Sequence, residues 1–271
     1  AIHGVESRAA LEDLYLPYRP KRRTRATMAR EKGLEPLAER MWAQADATGS
    51  VETIAREFVN AEKGVADVDA ALSGARDIIA ERVVETAAWR ALVRNLTWRK
   101  GQVHSRAAKG KAETKSKFSD YYEFSEPVAK IPSHRFLAIL RGESEGFLSA
   151  GIQPDPEEAK ALLIRAAVKP GASIWSPLVR QAIEDGTDRL LLPQIETEVR
   201  AELKERADAE AIEVFARNLR DLLMAPPFGG RPVLAIDPGQ RTGGKTVILG
   251  ATGELLEHGV IYPTEPRNDV Q

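Results

Sequence analysis

Apolar residues recur every three or four positions along much of residues 1–225, and short apolar or alternating runs dominate near the end of the chain. The first spacing lines up side chains on one helical face, and the second lines them up on one face of a strand. The pattern therefore predicts a series of helices followed by strands. A helix is expected over Ser7–Tyr15, capped by Ser7 and ended by Pro17 and Pro20. Another starts near Thr27 and is interrupted at Gly33, and Pro36 suits the first turn of a further helix over Leu37–Ala43. Asn60–Gly64 reads as a break. Asp67–Ser73 and Ala75–Gln102 come next, the latter a long amphipathic helix with Ile78, Ile79, Val83, Ala87, Leu92 and Leu96 on its stripe. Trp89 and Trp98 are expected to pack on that face.

Ser133 is placed to cap a helix through Arg141, and Gly142–Gly151 reads as a turn plus a strand. Pro156–Val168 is a helix with acidic residues at its start, where the macrodipole favours them. Trp175–Gly186 is another. Leu190–Leu223 is a long helix with oppositely charged residues three or four apart, such as Glu202 with Arg206. Residues 226–231, with Pro226-Pro227 and Gly229-Gly230, form a hinge. Then come three short β-rich runs: Val233–Ile236 closed by Asp237-Pro238-Gly239, Thr246–Leu249 closed by a Gly-Ala-Thr-Gly turn, and Leu255–Tyr262. They read as antiparallel strands joined as hairpins. The fold expected is mainly α: a multi-helix all-α region over 1–225, the hinge, and from 232 to 271 the first β-hairpins of an α/β domain.

Composition narrows the picture by exclusion. The 271 residues are 43% apolar and 29% charged, which suits a globular protein in water. No run of about 18 apolar residues offers a membrane span, and the N-terminus carries no signal peptide. The absence of cysteine removes disulfides and thiolate metal sites and fits a cytoplasmic chain. A net charge of −1 gives no global attraction to polyanions, so any such binding must come from local clusters. The chain starts Ala-Ile-His and stops soon after the third strand, which we read as a piece of a longer protein. Its uncovered β-hairpin is then expected to associate with its own helices or with a second copy.

Two clusters stand out. The loop containing Arg22, Arg23 and Arg25 could contact phosphates, giving salt-dependent binding without sequence preference. It could equally pair with carboxylates elsewhere, since Pro17-Tyr18-Arg19-Pro20 reads as a rigid joint. Arg99–Lys117 contains Arg99, Lys100, Lys109 and Lys111 with only Glu113 acidic, and Tyr121, Tyr122 and Phe124 lie just beyond it. That combination suits backbone binding beside a stacking platform, or a solvated segment whose aromatics belong to the core. We place the aromatics in the core. His134 beside Ser133 is read as a packing position, and His3, His104 and His258 have no ligand spacing around them.

Near the end, Gly239–Thr246 spells a P-loop after a strand. The motif requires a helix from Lys245 to present its N–H groups to phosphates. The residues after Lys245 are TVILGATGELL, β-branched at first and broken by Gly250 and Gly253, so a hairpin is preferred. Asp237, at a strand end, is an oxygen ligand of the kind Mg²⁺ or Mn²⁺ takes, or else it shapes the Asp-Pro-Gly turn. Arg241 and Lys245 stand close enough in sequence to neutralise it or to hold a phosphate.

IDPGQRTG, then Lys245, a strand, ATGELL and a strand ending in IYP resemble the YqgF-like, RNase H-like domain of the Tex family of bacterial transcription accessory proteins. LEDLYLPYRPKRRTRATMAREKGLEPLAE (Leu11–Glu39) and FSDYYEFSEPVAKIPSHRFLAILRGESEG (Phe118–Gly146) resemble the same family, in its order. Gly244 departs from it, where an apolar residue is expected in many relatives, and so creates the P-loop string. The resemblance implies a nucleic-acid-binding transcription factor, with RNA, DNA and the transcription machinery as partners and no membrane. It makes the helical region a scaffold, and it places the rest of the RNase H-like domain, helix-hairpin-helix elements and an S1 domain beyond this chain. The alternatives are a metal-dependent RNase H-like nuclease with Asp237 as a ligand and, third, a P-loop NTPase. One carboxylate makes no two-metal site, so no catalysis and no cofactor are expected of this chain.

Overall fold

Helix α5 (Val68–Glu85) is the axis of the helical region, and small and branched side chains alternate round it. Ala71, Ala75, Ile78, Ile79, Ala80, Val83 and Val84 are all buried. Helices α2 (Arg25–Glu31), α3 (Glu35–Ala43), α4 (Val51–Arg56) and α9 (Ser176–Gly186) pack against it. The computed structural model describes residues 8–19, 23–171, 173–226, 228–239 and 242–263; the expected Ser7 cap lies outside them. Among the described residues no helix is long and apolar enough to cross a membrane.

α5 runs straight through Gly74, where the pattern predicts a break. A Cβ there would lie 2.4 Å from Leu34 Cδ1, so this glycine admits a neighbouring leucine rather than ending the helix. The break falls instead at Thr86, whose extended backbone (φ −74°, ψ 107°) separates α5 from α6 (Ala87–Lys100). The single helix expected over Ala75–Gln102 is therefore two. Leu92 consequently leaves the apolar stripe and is exposed. Trp89 stays half-buried with its ring 5.6 Å from that of Trp42.

α6 passes through Gly101 into β1 (Gln102–Ala107), the centre of an antiparallel sheet with β2 (Glu123–Pro127) and β3 (Leu148–Gln153), ordered β2-β1-β3. Of these strands the pattern anticipates only β3. β1, QVHSRA, carries one large apolar side chain, Val103, so its alternation is faint. The edges of the sheet differ. Along β3, the Glu143 and Glu196 carboxylates accept the N–H groups of Ala150 and Ile152, each at 2.9 Å, and Arg200 donates to the Ala150 carbonyl at 3.3 Å. Along the outer side of β2, the main chain of Glu123 and Ser125 has no partner among the described residues.

Helices α7 (Ser133–Ser144) and α8 (Pro156–Ala167) come after β2 and β3 respectively. α8 is capped by Asp155, with Glu157 and Glu158 in its first turn, as the dipole argument requires. Ser133 is not the cap of α7: Pro132 holds that position, and the Ser133 hydroxyl donates to Glu210. The helices expected over Trp175–Gly186 and Leu190–Leu223 are one run, α9 continuing through a π turn (Thr187–Leu191) into α10 (Leu192–Leu223). Pro193 accounts for the π turn, because a proline lacks the N–H that an α-helical register would need there. Arg206 does not pair with Glu202 but lies over the Trp98 ring, 5.6 Å from its centroid.

The chain divides into two compact units, Ala1–Ile212 and Glu213–Gln271. The second holds the end of α10 and an antiparallel sheet of β4 (Val233–Asp237), β5 (Gly244–Leu249) and β6 (Leu255–Ile261), in that order.

Inside the first unit, four charges meet almost out of water. Asp13 on α1 (Arg8–Tyr15) accepts from Arg90 at 2.6 Å and from Arg94 at 2.8 Å. Glu198 on α10 accepts from the same two arginines, and Gln194 and the Val84 carbonyl take Arg90 Nη1 at 2.8 and 3.1 Å. Removing one member of a buried pair leaves the other charge uncompensated. Asp13→Ala is expected to lose about 3–5 kcal/mol in urea unfolding, whereas Glu39→Ala, which breaks an exposed pair with Arg82, loses under about 1 kcal/mol.

Asp46 accepts from Arg40 at 2.9 Å and from the indole N–H of buried Trp175 at 2.6 Å, and these partners hold its pKa below the ordinary 3.8. A depressed folded pKa stabilises above the unfolded value and loses that contribution as pH falls through the folded one. The stability gap between wild type and Asp46→Asn should stay constant from about pH 7 to 5. It should shrink below 3.8 in denaturation series run at each pH.

Candidate nucleic-acid interface

The basic stretch after α6 is an ordered hairpin. β1 gives Arg106, and the loop to β2 gives Lys109, Lys111, Lys115 and Lys117, five cations against the single carboxylate of Glu113 over residues 102–117. Hydrogen bonds fix the loop. The Tyr122 hydroxyl donates to the Thr114 carbonyl at 2.7 Å and meets the Ser116 hydroxyl at 2.9 Å. Ser116 Oγ in turn accepts the Phe118 N–H at 3.1 Å, and Phe118 is buried. Tyr121, Tyr122 and Phe124 are half-buried against the core, with Tyr121 and Phe124 edge to face at 5.3 Å, so they are not an exposed stacking platform.

The basic residues in this region divide by what they touch. Lys117 pairs with Glu145 at 2.9 Å, and Lys100 pairs with Glu158. Lys111 lies over the Phe147 ring at 5.3 Å, and exposed Arg99 donates to the Asn95 carbonyl at 3.4 Å. Arg106, Lys109 and Lys115 are exposed and form no ion pair among the described residues.

The cations before and at the start of α2 face the protein's own carboxylates. Arg22 lies outside the described residues. Arg23 pairs with Glu31 at 2.7 Å. Arg25 lines a cleft of about 220 Å³ with Arg19, Arg189, Asp77, Glu81 and Glu85. Burial raises the Asp77 pKa there against the pull of Arg189 and Arg25, while a hydrogen bond from Arg189 lowers that of Asp185. This cleft holds balanced charge.

In the second unit, Asp237 ends β4 and is exposed, directly across the ladder from exposed Lys245. Arg241 lies outside the described residues. Among the described residues no three His, Cys, Asp or Glu side chains gather to hold a metal ion. One carboxylate opposite a lysine does not fit a two-metal centre. The P-loop reading fails on geometry, because Lys245 and Thr246 lie inside strand β5 and no helix starts there. Leu234, Ile236, Leu255, Leu256 and Val260 leave this sheet with exposed apolar side chains. In the first unit, exposed His134 has no catalytic partner in Ser133, whose hydroxyl is engaged by Glu210.

Residues 46–215 match a family described as Tex central region-like, and residues 231–271 match the Tex protein YqgF-like domain. The chain is 44% identical over 277 residues to Protein YhgF of Escherichia coli (strain K12), an alignment covering 97% of this chain and 35% of that protein. It is 42% identical over 281 residues to Protein tex of Bordetella pertussis, covering 99% and 35%. With the human S1 RNA-binding domain-containing protein 1 it shares 27% identity over 266 residues, covering 93% and 26%. The chain thus spans about a third of the length of the bacterial relatives, 35% in each case.

Since β5 replaces the phosphate-cradling helix, ATP with Mg²⁺ should not raise the melting temperature. Lys245→Ala should melt as wild type does in its presence. A nucleotide-dependent shift that disappears in Lys245→Ala would restore the NTPase reading.

Proposed function

The chain belongs to the Tex family, and we propose that it is the scaffold and the start of the YqgF-like, RNase H-like portion of a transcription accessory factor that binds nucleic acid, RNA foremost. Its helices position an ordered basic hairpin, and that hairpin contacts phosphates. The observation that carries this reading is the contrast in charge. Arg106 at the end of β1, and Lys109 and Lys115 in the hydrogen-bonded loop, have no carboxylate partners among the described residues, whereas the described arginines at residues 19–25 face Glu31, Asp77 and Glu81. A cation already paired with a carboxylate gains little by contacting phosphate, while an unpaired one releases counterions from the polyanion. The names of relatives agree with this reading, one being a transcriptional accessory protein and another carrying an S1 RNA-binding domain.

Fluorescent single-stranded RNA and duplex DNA, titrated at rising salt, test the proposal. Wild type should bind both at low salt, with affinity falling steeply as salt rises. Lys109→Glu/Lys111→Glu should weaken binding about tenfold or more and flatten the salt dependence by one to two phosphate contacts, roughly 0.7–0.9 in log–log slope for each. Arg23→Glu should bind as wild type. No binding at low salt, or an unchanged hairpin variant, overturns the assignment.

A further inference from the structure

The outer face of the β2-β1-β3 sheet is recessed. It forms a cavity of about 540 Å³ whose floor is His104 and Arg106 of β1, Ser125 of β2, and Ser149, Gly151 and Gln153 of β3. Strand register sets this arrangement. His104 lies between Ser125 and Gly151, Arg106 between Glu123 and Ser149, and Gln102 between Pro127 and Gln153. A sheet face turned to water ordinarily carries long polar side chains that fill such a space. Here β3 is uncharged throughout and small at Ser149 and Gly151, so the floor drops beside His104. Arg106 stands across from Glu123 in the ladder yet forms no ion pair among the described residues. Tyr122 and Phe124 also border the cavity, although their rings pack against the core.

We propose that this face is a seat for a short single-stranded stretch of nucleic acid. In that seat one or two nucleotides enter the cavity. Base edges meet His104, Ser125, Ser149 and Gln153, which supply donors and acceptors of both kinds, and Arg106 takes a phosphate. The strand then leaves along Lys109 and Lys115 beyond the end of β1. This inference rests on the nucleic-acid-binding function proposed above and adds which form is bound and where.

Three observations favour a single strand. The floor is only two strand spacings across, roughly 10 Å, and it is recessed. A duplex shows its base edges only inside its grooves, which a recessed floor cannot enter, so it would touch the rim lysines alone. A single strand can turn its bases out onto such a surface. An acidic peptide would call for several cations in a row, whereas the cavity is lined by one guanidinium, Arg106, one carboxylate, Glu123, and otherwise neutral hydrogen-bonding groups.

The test uses oligouridine and oligothymidine decamers and a blunt duplex of the same length, with anisotropy as the readout. Ser149→Ile fills the cavity from an exposed strand position, and His104→Ala removes a hydrogen-bonding group from the floor. Both should melt as wild type. Each should lose about tenfold or more in single-strand affinity, with duplex binding and the salt slope unchanged. Tighter binding of one decamer over the other, lost in both variants, supports the seat and shows which of the two strands it prefers. Unchanged single-strand binding in both variants, with Lys109→Glu still weakened, overturns the seat and leaves the hairpin's phosphate contacts standing. No binding of any oligonucleotide at low salt overturns both. Displacement of the decamers by an oligoglutamate peptide at lower concentration assigns the face to acidic peptides and overturns the proposal.

Discussion

Three buried charges and the half-buried Glu198 hold the framework on which the rest is hung. Asp13, Arg90, Arg94 and Glu198 come from three helices, α1, α6 and α10, and sum to zero. Each ion would cost several kcal/mol to bring out of water alone, so the helices are held at the spacing where all four are satisfied together. For Arg94, burial works against the charge, and Glu198 and Asp13 more than restore it, leaving its pKa above the ordinary value. The planar guanidinium suits this role because its several N–H groups can bond different partners in one plane. Arg90 uses them on Asp13, Gln194, Glu198 and the Val84 carbonyl.

The position of the sheet depends on that network. α6, which supplies both arginines, leads straight into β1. The turn at Gly101 is tight enough that a Cβ there would lie 2.4 Å from the Thr97 carbonyl oxygen. α10, which supplies Glu198, also supplies Glu196 and Arg200, and those two hold the edge of β3. Side chains at i and i+4 share a helical face, and the one midway between them points elsewhere. One turn of α10 therefore grips the charge network with one face and the sheet with another. The basic hairpin thus stands on a rigid base, so its lysines occupy defined places around the sheet.

How much of this could be read from the residues depended on the length of the pattern. α3, α8 and α9 repeat their apolar positions over two or more turns, and they lie where periodicity put them. Gly74 has the local look of punctuation, yet it serves a contact with Leu34 that no local pattern contains. The π turn is likewise invisible without knowing that α9 and α10 are continuous across Pro193. The P-loop string shows the reverse case: the letters of a motif were present, but the β-branched residues after Lys245 already argued for the strand that forms. The charge run at Lys109 and Lys111 was legible as a cluster. The polar floor was not. His104, Ser125 and the β3 pair Ser149 and Gln153 come from three separate stretches of the chain and meet only through the register of three strands. Their one local trace is the polar side of QVHSRA, too short to distinguish from a loop.

The unequal edges of the first sheet bear on how copies of this unit can meet. Growth by strand addition needs two reactive ends, as chain polymerisation needs a bifunctional monomer. Here β3 is closed by Glu143, Glu196 and Arg200, while β2 offers its main chain only at Glu123 and Ser125 and stops at Pro127. Through this sheet the unit is monofunctional: two copies joined edge to edge would leave nothing for a third to add to. A contact of that kind terminates at a pair and cannot propagate into a fibre, however high the concentration.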